Sequence, residues 1–433
     1  MKLSVIGTGY LGAVHAACMA ELGFDVVGID VDADKIAALQ AGKAPFFEPD
    51  FEPILSRNIE AGRLVFTTDF STMADADVHF VCVGTPQAAG SLAADTRYVD
   101  SAIEEVAKYA KPGSIVAGKS TVPVGTAARL QEKLNELSTH GIELAWNPEF
   151  LREGFAVEDT LHPDRVVIGT NGPSAEALLR QVYASMIAAN TPFLVTDYPT
   201  AELVKVSANA FLATKISFIN AMAEVCETVG GDVVALADAI GHDVRIGRRF
   251  LNAGIGFGGG CLPKDIRAFQ ARAAELGVEE AVAFLRDIDA VNMRRRSRVV
   301  ELANEMLGGS AGKRIAVLGA AFKPNSDDVR DSPALDIAST LAEGGADVVI
   351  YDPEAMANAL KRFPSLKTAG SIDEALNGAD AVLHLTEWKV FRDIDPAHAK
   401  QLMAGDVMID GRNALDLVAW RAAGFDSKAL GRP

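Results

Sequence analysis

The strongest constraint on this chain is the run Gly7-Thr8-Gly9-Tyr10-Leu11-Gly12, set directly after the apolar residues 3–6 and directly before an apolar helical pattern over residues 13–22. Glycines in that setting let the chain turn tightly, approach a pyrophosphate and pack a helix on a strand. Gly23 stops the helix, and a second apolar strand over residues 25–29 leads to Asp30, 18 residues after Gly12. A carboxylate there accepts hydrogen bonds from a ribose diol and repels a 2′-phosphate, which reads as an NAD site rather than an NADP site. Lys35 either neighbours the same ribose or is an ordinary solvated helix lysine.

Further apolar strands at residues 78–83, 114–117 and 166–168 alternate with helical patterns at 99–109 and 127–137, which predicts a parallel doubly wound sheet. From about Thr200 the apolar spacing becomes three to four and stays helical to about Leu307. At Arg314 a second βαβ unit begins, and its AEGGADVVIYDPE echoes AELGFDVVGIDVD of the first, a divergent internal duplication. Gly319 to Asp352 spans 33 residues where Gly7 to Asp30 spans 23. The extra residues, FKPNSDDVRD, replace the glycine fingerprint and bring both signs of charge to a strand end. They read either as a site for something other than a pyrophosphate on the first helix or as a decorative loop. The expected fold is α/β, with two Rossmann-like doubly wound domains, 1–198 and 309–433, joined by a central helical domain, 199–308, that contains a long helix.

The length of 433 residues exceeds what one core serves. With 41 basic against 58 acidic residues the formal charge is −17, which disfavours nucleic-acid phosphates and anionic membranes as partners. No uncharged apolar run of membrane-spanning length occurs, and the apolar run at the start is short for a signal peptide, so a soluble, cytoplasmic protein is expected. Cys18, Cys82 and Cys226 sit in apolar-periodic segments as small hydrophobes; only Cys261 lies among glycines. No metal site is implied.

Five further motifs carry chemistry. VGTP at residues 83–86 and KSTVPVGT at 119–126 each follow a predicted strand, as loops over a nicotinamide ribose or as plain strand-to-helix turns. In Asn147-Pro-Glu149-Phe-Leu-Arg-Glu153-Gly two carboxylates stand four residues apart, either functional or surface charges. Lys205 and Asn209 share that spacing on a largely apolar helix, where a buried lysine needs a partner. In Gly254-Ile-Gly256-Phe-Gly258-Gly-Gly260-Cys261-Leu-Pro-Lys264-Asp265 the glycines would admit a ligand, while a cation and a carboxylate follow the thiol. A dinucleotide site plus a cysteine nucleophile suits oxidation of an alcohol through an aldehyde held on sulfur to an acid, a four-electron reaction.

The motifs GTGYLG, VGTP, KSTVPVGT, NPEFLREG, ELVKVSAN, RIGRRFLNAGIGFGGGCLPKD, AFKPNSDDVRDSPA, LTEW and DGRNALD stand in the order in which the UDP-glucose 6-dehydrogenase family carries them. The chain resembles that family, within the wider nucleotide-sugar dehydrogenases, over essentially its whole length. The resemblance implies catalysis by Cys261 through thiohemiacetal and thioester intermediates, with Asp265, Lys205, Asn209 and Thr121 around it and Glu149 activating the hydrolytic water. It implies NAD contacts from Gly7, Gly9, Tyr10, Leu11, Gly12, Asp30 and Lys35, joined by Thr85, Thr121, Glu153, Lys264 and Arg330.

For UDP-glucose the same resemblance implies Glu149, Phe150, Leu151, Arg152 and Glu153, with Lys205 and Asn209. Phe250, Leu251, Asn252, Ala253, Gly254, Gly258, Lys323 and Arg412 complete that set. Arg245 would reach the partner subunit's sugar site in a homodimer formed through the helical middle. Gly260 and Asn252 depart from residues the family often carries there, and neither departure removes a catalytic group. The rival readings are a GDP-mannose or UDP-N-acetylhexosamine dehydrogenase and a catalytically idle NAD-binding dimer. FGGGCLPKD and LTEW argue against the first, and the joint presence of Cys261, Lys205, Asp265 and Glu149 against the second.

Overall fold

Fourteen short strands form two sheets in a computed structural model that describes residues 1–433. By contacts between Cα atoms the chain divides into two compact units, one of residues 1–208 with 267–279 and one of 209–266 with 280–433. The helix Tyr198–Val229, 32 residues long, begins in the first unit and continues into the second. The helical middle anticipated at 199–308 is therefore divided between the two units. No helix is long and apolar enough to cross a membrane.

In the first unit the strands are β1 (Lys2–Ile6), β2 (Asp25–Ile29), β3 (Leu64–Thr67), β4 (Val78–Val81), β5 (Ile115–Gly118), β6 (Glu143–Trp146), β7 (Val166–Thr170) and β8 (Phe193–Thr196). Their order across the sheet is β3-β2-β1-β4-β5-β6-β7-β8. Central strands such as β4, Val-His-Phe-Val, are buried at every position, as a sheet covered by helices on both faces requires. One pair departs from the parallel expectation: β6 and β7 are antiparallel, so β7 and β8 run against the other six. Between β6 and β7 lies a loop and only the six-residue helix Ala156–Leu161, packed on the helix Tyr10–Glu21. Without a full crossover helix over the sheet, the next strand returns antiparallel.

The second unit holds β9 (Arg314–Leu318), β10 (Asp347–Tyr351), β11 (Lys367–Thr368), β12 (Ala381–His384), β13 (Val407–Asp410) and β14 (Asp426–Ala429), all parallel, in the order β11-β10-β9-β12-β13-β14. This repeats the order of β3, β2, β1, β4, β5 and β6, and the duplication extends to single hydrogen bonds. Gly7 N–H donates to Ile29 O at 2.8 Å, and Gly319 N–H to Tyr351 O at 2.8 Å. Thr8 N–H donates to the Asp30 carboxylate at 2.7 Å, and Ala320 N–H to that of Asp352 at 2.8 Å.

The two carboxylates then diverge. Asp30 is held by Thr8, Asp32 N–H and the Lys35 ammonium at 3.0 Å. Asp352, 1% exposed, accepts the N–H groups of Ala320, Ala321, Glu354 and Ala355 and the indole N–H of Trp388. In the second unit it is thus a core fastener for the strand ends. Replacing Asp352 by Ala strands these donors away from water, with an expected loss of about 3 kcal/mol or more. Urea unfolding of the full chain checks this, and a loss below about 1 kcal/mol would show that the donors are otherwise satisfied.

Candidate active site

Each glycine of the first turn has a different geometric reason. Gly7 lies at φ +86°, where an added Cβ would also meet Val83 at 2.8 Å. A Cβ on Gly12 would strike Gly7 O at 1.8 Å, so the helix packs directly on the turn. Gly9 has nothing within 4 Å of its missing Cβ and carries no side-chain cap on the helix Tyr10–Glu21. That open helix N-terminus, facing unpaired N–H groups outward, suits an anion. Burial works against the charge of Asp30, but Lys35 and the N–H groups of Thr8 and Asp32 outweigh it and hold the carboxyl below its usual range. Lys35 is therefore bound to Asp30 and not an ordinary solvated lysine.

The loops after β4 and β5 are laced together. Thr85 Oγ1 donates to Thr121 O at 2.7 Å, and Ser120 Oγ to Val83 O at 2.6 Å. Glu202, buried on the long helix, accepts Gly125 N–H and Ala127 N–H at 2.7 Å each, which fixes the far end of the second loop. Asn147 opens the next loop under a buried network in which Lys119 Nζ and Tyr183 OH donate to its Oδ1, while its amide donates to Val167 O. Two residues on, Glu149 Oε1 accepts from Lys205 Nζ at 3.0 Å, and its Oε2 accepts Leu151 N–H. Lys205, 5% exposed, thus has the carboxylate partner that its burial requires. Phe150 lies under both the Arg165 guanidinium, 3.9 Å from the ring centre, and Lys205. Arg152 is held on Asp159 by two side-chain bonds.

In the second unit Cys261 is exposed and stands immediately before the helix Leu262–Glu275, its carbonyl accepting Asp265 N–H at 2.9 Å. A thiolate at a helix N-terminus is favoured by the helix dipole. Asp265, 2% exposed, accepts Asn209 Nδ2 at 2.6 Å and pairs with Lys264 at 2.6 Å. Cys261, Asn209, Lys264 and Asp265 therefore form one cluster.

The glycine run has a reason other than ligand access. Cβ atoms on Gly254, Gly256, Gly258 and Gly259 would meet Gly411 O at 2.7 Å, Asn292 Oδ1 at 2.3 Å, Asp331 O at 2.3 Å and the Phe322 ring at 2.8 Å. Gly259 N–H donates to Arg330 O at 2.8 Å, and Gly260 lies against the Arg330 guanidinium. The close approaches are of the chain to itself: Gly258, Gly259 and Gly260 meet Asp331, Phe322 and Arg330 of the ten-residue insertion after β9, while Gly254 and Gly256 meet Gly411 and Asn292 outside it. That insertion is the platform under the cysteine loop and not a decoration. Arg296, buried, secures it by pairing with Asp331 and Asp336.

Arg412 donates to Leu385 O, Gly256 O and Phe322 O at 2.8–3.0 Å, tying three loops of the second unit together. Its guanidinium is largely engaged with protein carbonyls. Leu251 and Ala253 are buried in a small core with Ile219, Ala223 and Val233, so any ligand contact they make is through backbone. Phe250 stands at φ +65°, Asn252 accepts from Arg248, and Lys323 lies over the Phe322 ring. Arg245 is exposed and bound to Asp243 two residues away.

Family models described as the NAD binding, central and UDP binding domains of the UDP-glucose/GDP-mannose dehydrogenase family match residues 1–187, 199–294 and 316–417. The chain belongs to the UDP-glucose/GDP-mannose dehydrogenase family. It is 41% identical to a UDP-glucose 6-dehydrogenase of Rhizobium meliloti over the full length of both chains. A UDP-glucose dehydrogenase structure from Pyrobaculum islandicum shares 37% identity and a TM-score of 0.91, covering all of this chain and 98% of that one. A UDP-D-ManNAc dehydrogenase structure from Pyrococcus horikoshii gives 27% identity and a TM-score of 0.87, covering all of this chain and 99% of that one. The turn at residues 7–12, with its open Gly9 and the Asp30–Lys35 pair, fits the dinucleotide that the first domain's description names.

The motifs left the supporting residues of this family member undetected. Glu48, Arg165 and Arg296 stand outside every motif, while Lys119 and Glu202 open KSTVPVGT and ELVKVSAN without their supporting roles being apparent there. Glu202 alone had a signal, as an acid three residues before Lys205 on an apolar helix. The glycine geometry makes a graded prediction. Gly258→Ala drives a Cβ into backbone of the insertion and should cost about 2 kcal/mol, whereas Gly260→Ala meets only the movable end of Arg330 and should cost much less. Thermal unfolding of the two variants decides, and equal losses would refute this account.

Proposed function

We propose that this chain is a UDP-glucose 6-dehydrogenase that oxidises the C6 alcohol of UDP-glucose to the carboxylate, reducing two NAD, with Cys261 as the covalent nucleophile. The observation that carries the reading is Cys261 itself, exposed at a helix N-terminus beside the buried Asn209–Asp265 pair and the half-buried Lys264. Full-length similarity to relatives named for UDP-glucose supports the substrate, and the lower identity to the UDP-D-ManNAc enzyme makes that sugar the less favoured one.

NAD, when bound, supplies the hydride acceptor for both oxidations. The residues do the rest. Asp265, or a water held with Thr121, takes the hydroxyl proton of the first oxidation. Cys261 sulfur adds to the resulting aldehyde, giving a thiohemiacetal whose second oxidation leaves a thioester. Lys205 and Asn209 stabilise the developing oxyanion charge. Glu149, hydrogen-bonded to Lys205, accepts a proton from the water that cleaves the thioester and frees the thiol and the acid. The turn at residues 7–12, Asp30, Lys35, Thr85, Glu153, Lys264 and Arg330 hold the dinucleotide, while Lys323 and the loop at 250–258 hold the sugar nucleotide. Three domains, 1–198, 199–308 and 309–433, divide these tasks.

A homodimer through the helical middle completes the proposal. On the long helix Phe211, Phe218 and Val225 recur every seven residues and are 66%, 48% and 53% exposed, the seam of a helix that packs on a partner. Arg245, exposed nearby in sequence, would then reach the partner's sugar. Sedimentation should give about 90 kDa, twice the 45.7 kDa chain, and Phe218→Lys should shift it toward monomer. A monomeric wild-type chain at micromolar concentration would remove this part of the reading.

The decisive measurement mixes the protein with NAD or NADP and a panel of nucleotide sugars. Two NADH per UDP-glucose, without free aldehyde, are expected, and mass spectrometry of the quenched enzyme should find a glucuronyl adduct on the Cys261 peptide. Cys261→Ala should lower turnover by about a thousandfold or more with little change in binding of either nucleotide. Full two-NADH turnover by that variant would end the covalent mechanism, and NADH formation only with another sugar would end the substrate assignment.

A further inference from the structure

We propose that Glu48 is a positioning residue that, through Tyr10, locks the loop carrying Glu149 and Glu153 to the dinucleotide turn, so that cofactor binding sets the register of that loop. The proposal rests on the reading of the turn at residues 7–12 as the NAD site and of residues 149–153 as site residues.

Glu48 belongs to none of the motifs. It lies between the helices Ala33–Gln40 and Phe51–Glu60 and is 7% exposed. One carboxylate oxygen accepts the Tyr10 hydroxyl and, at 2.6 Å, Gly154 N–H; the other accepts Ala156 N–H at 2.7 Å. Gly154 N–H also reaches the Tyr10 hydroxyl at 3.0 Å. Tyr10 is the fourth residue of the dinucleotide turn and the first of its helix, and Gly154 directly follows Glu153. A single buried carboxylate thus joins the turn to the end of the loop, in a hydrogen-bonded triangle of Tyr10, Glu48 and Gly154.

The surroundings make the clamp stiff. The Tyr10 ring lies 4.7 Å from that of Phe46, which stacks on Phe51 at 5.3 Å, so the phenol is held by packing as well as by its hydroxyl. Gly154 stands at φ +78°, a conformation that a residue with a Cβ rarely adopts, and this brings its N–H onto the two oxygens. Burial pushes the Glu48 carboxyl up against the opposing pull of its donors, and it pushes the Tyr10 phenol up as well, so the phenol keeps its proton to give. At its other end the loop is pinned by Asn147 on Lys119 and Tyr183. The segment between has two fixed ends, and the Glu48 end is hydrogen-bonded to the turn through Tyr10.

The test uses full-length wild type, Tyr10→Phe, Glu48→Gln and the double variant. Each single variant should weaken NAD binding about tenfold by calorimetry, and the double variant should be little weaker than the worse single one, since all three break one clamp. In wild type NAD should slow amide exchange at Gly154 and Ala156; in Tyr10→Phe, which keeps the ring packing and the melting temperature, that slowing should be lost. KM for NAD should rise more than kcat falls. Independent, multiplying effects on NAD binding, or NAD protection of Gly154 and Ala156 that survives Tyr10→Phe, would overturn the proposal. Should Glu48→Gln not fold, the exchange measurement on Tyr10→Phe decides alone. If NAD binds and protects the loop as described while wild type oxidises no UDP-glucose, the proposed function fails and the clamp stands.

Discussion

Both sheets depend on one interaction: a carboxylate at the end of the second strand accepts the backbone N–H that follows the turn glycine. Thr8 donates to Asp30 and Ala320 to Asp352 at nearly the same length, and in each case the turn glycine also donates to the second strand. The bond closes a strand, a turn and a neighbouring strand into one rigid corner, because the acceptor is charged and withdrawn from water. What is built on the corner differs. In the first unit the carboxylate keeps an ammonium, Lys35, as its outer partner. In the second, Trp388 and four backbone N–H groups surround it, and the corner becomes purely structural.

The same device recurs wherever a loop must be held. Glu48 accepts the N–H groups of Gly154 and Ala156, and Glu202 those of Gly125 and Ala127. In both cases the donors are alternate residues at the start of a helix, where backbone N–H groups have no partner within the helix. Burial raises both carboxyls, and the donated bonds oppose that shift. An amide or hydroxyl in these places would satisfy fewer donors and carry no charge to meet the helix dipole, which is why acids occupy them despite the cost of desolvation.

The sequence disclosed those parts whose physics is local. The turn at residues 7–12, the strands at 25–29 and 166–170 and the helices at 97–109 and 126–137 follow from periodicity and glycine placement, and the structure has them within a few residues of expectation. The pairing of Lys205 was legible as a need, since a lysine on an apolar helix face must find a partner. That Glu149 meets it across 56 residues was not. The reversed direction of β7 and the roles of Glu48 and Arg296 were equally hidden, because they depend on which distant segments the topology brings together. The three loops that Arg412 ties together through Leu385 O, Gly256 O and Phe322 O were hidden for the same reason.

The glycine run before Cys261 has a packing reason of its own. Read alone, alternating glycines suggest an open surface waiting for a ligand. Here each of four glycines lacks a side chain because backbone, an amide or a ring of the same unit occupies the space. The approach is mutual, since the insertion that meets the run carries Asp331 at φ +47° and is secured by Arg296 from the helix Phe284–Leu307. A loop packed this tightly cannot move its last residue without moving the insertion. The exposed thiol at its end therefore stands on a rigid mount, which is what a nucleophile requires if it is to hold one carbon through successive steps.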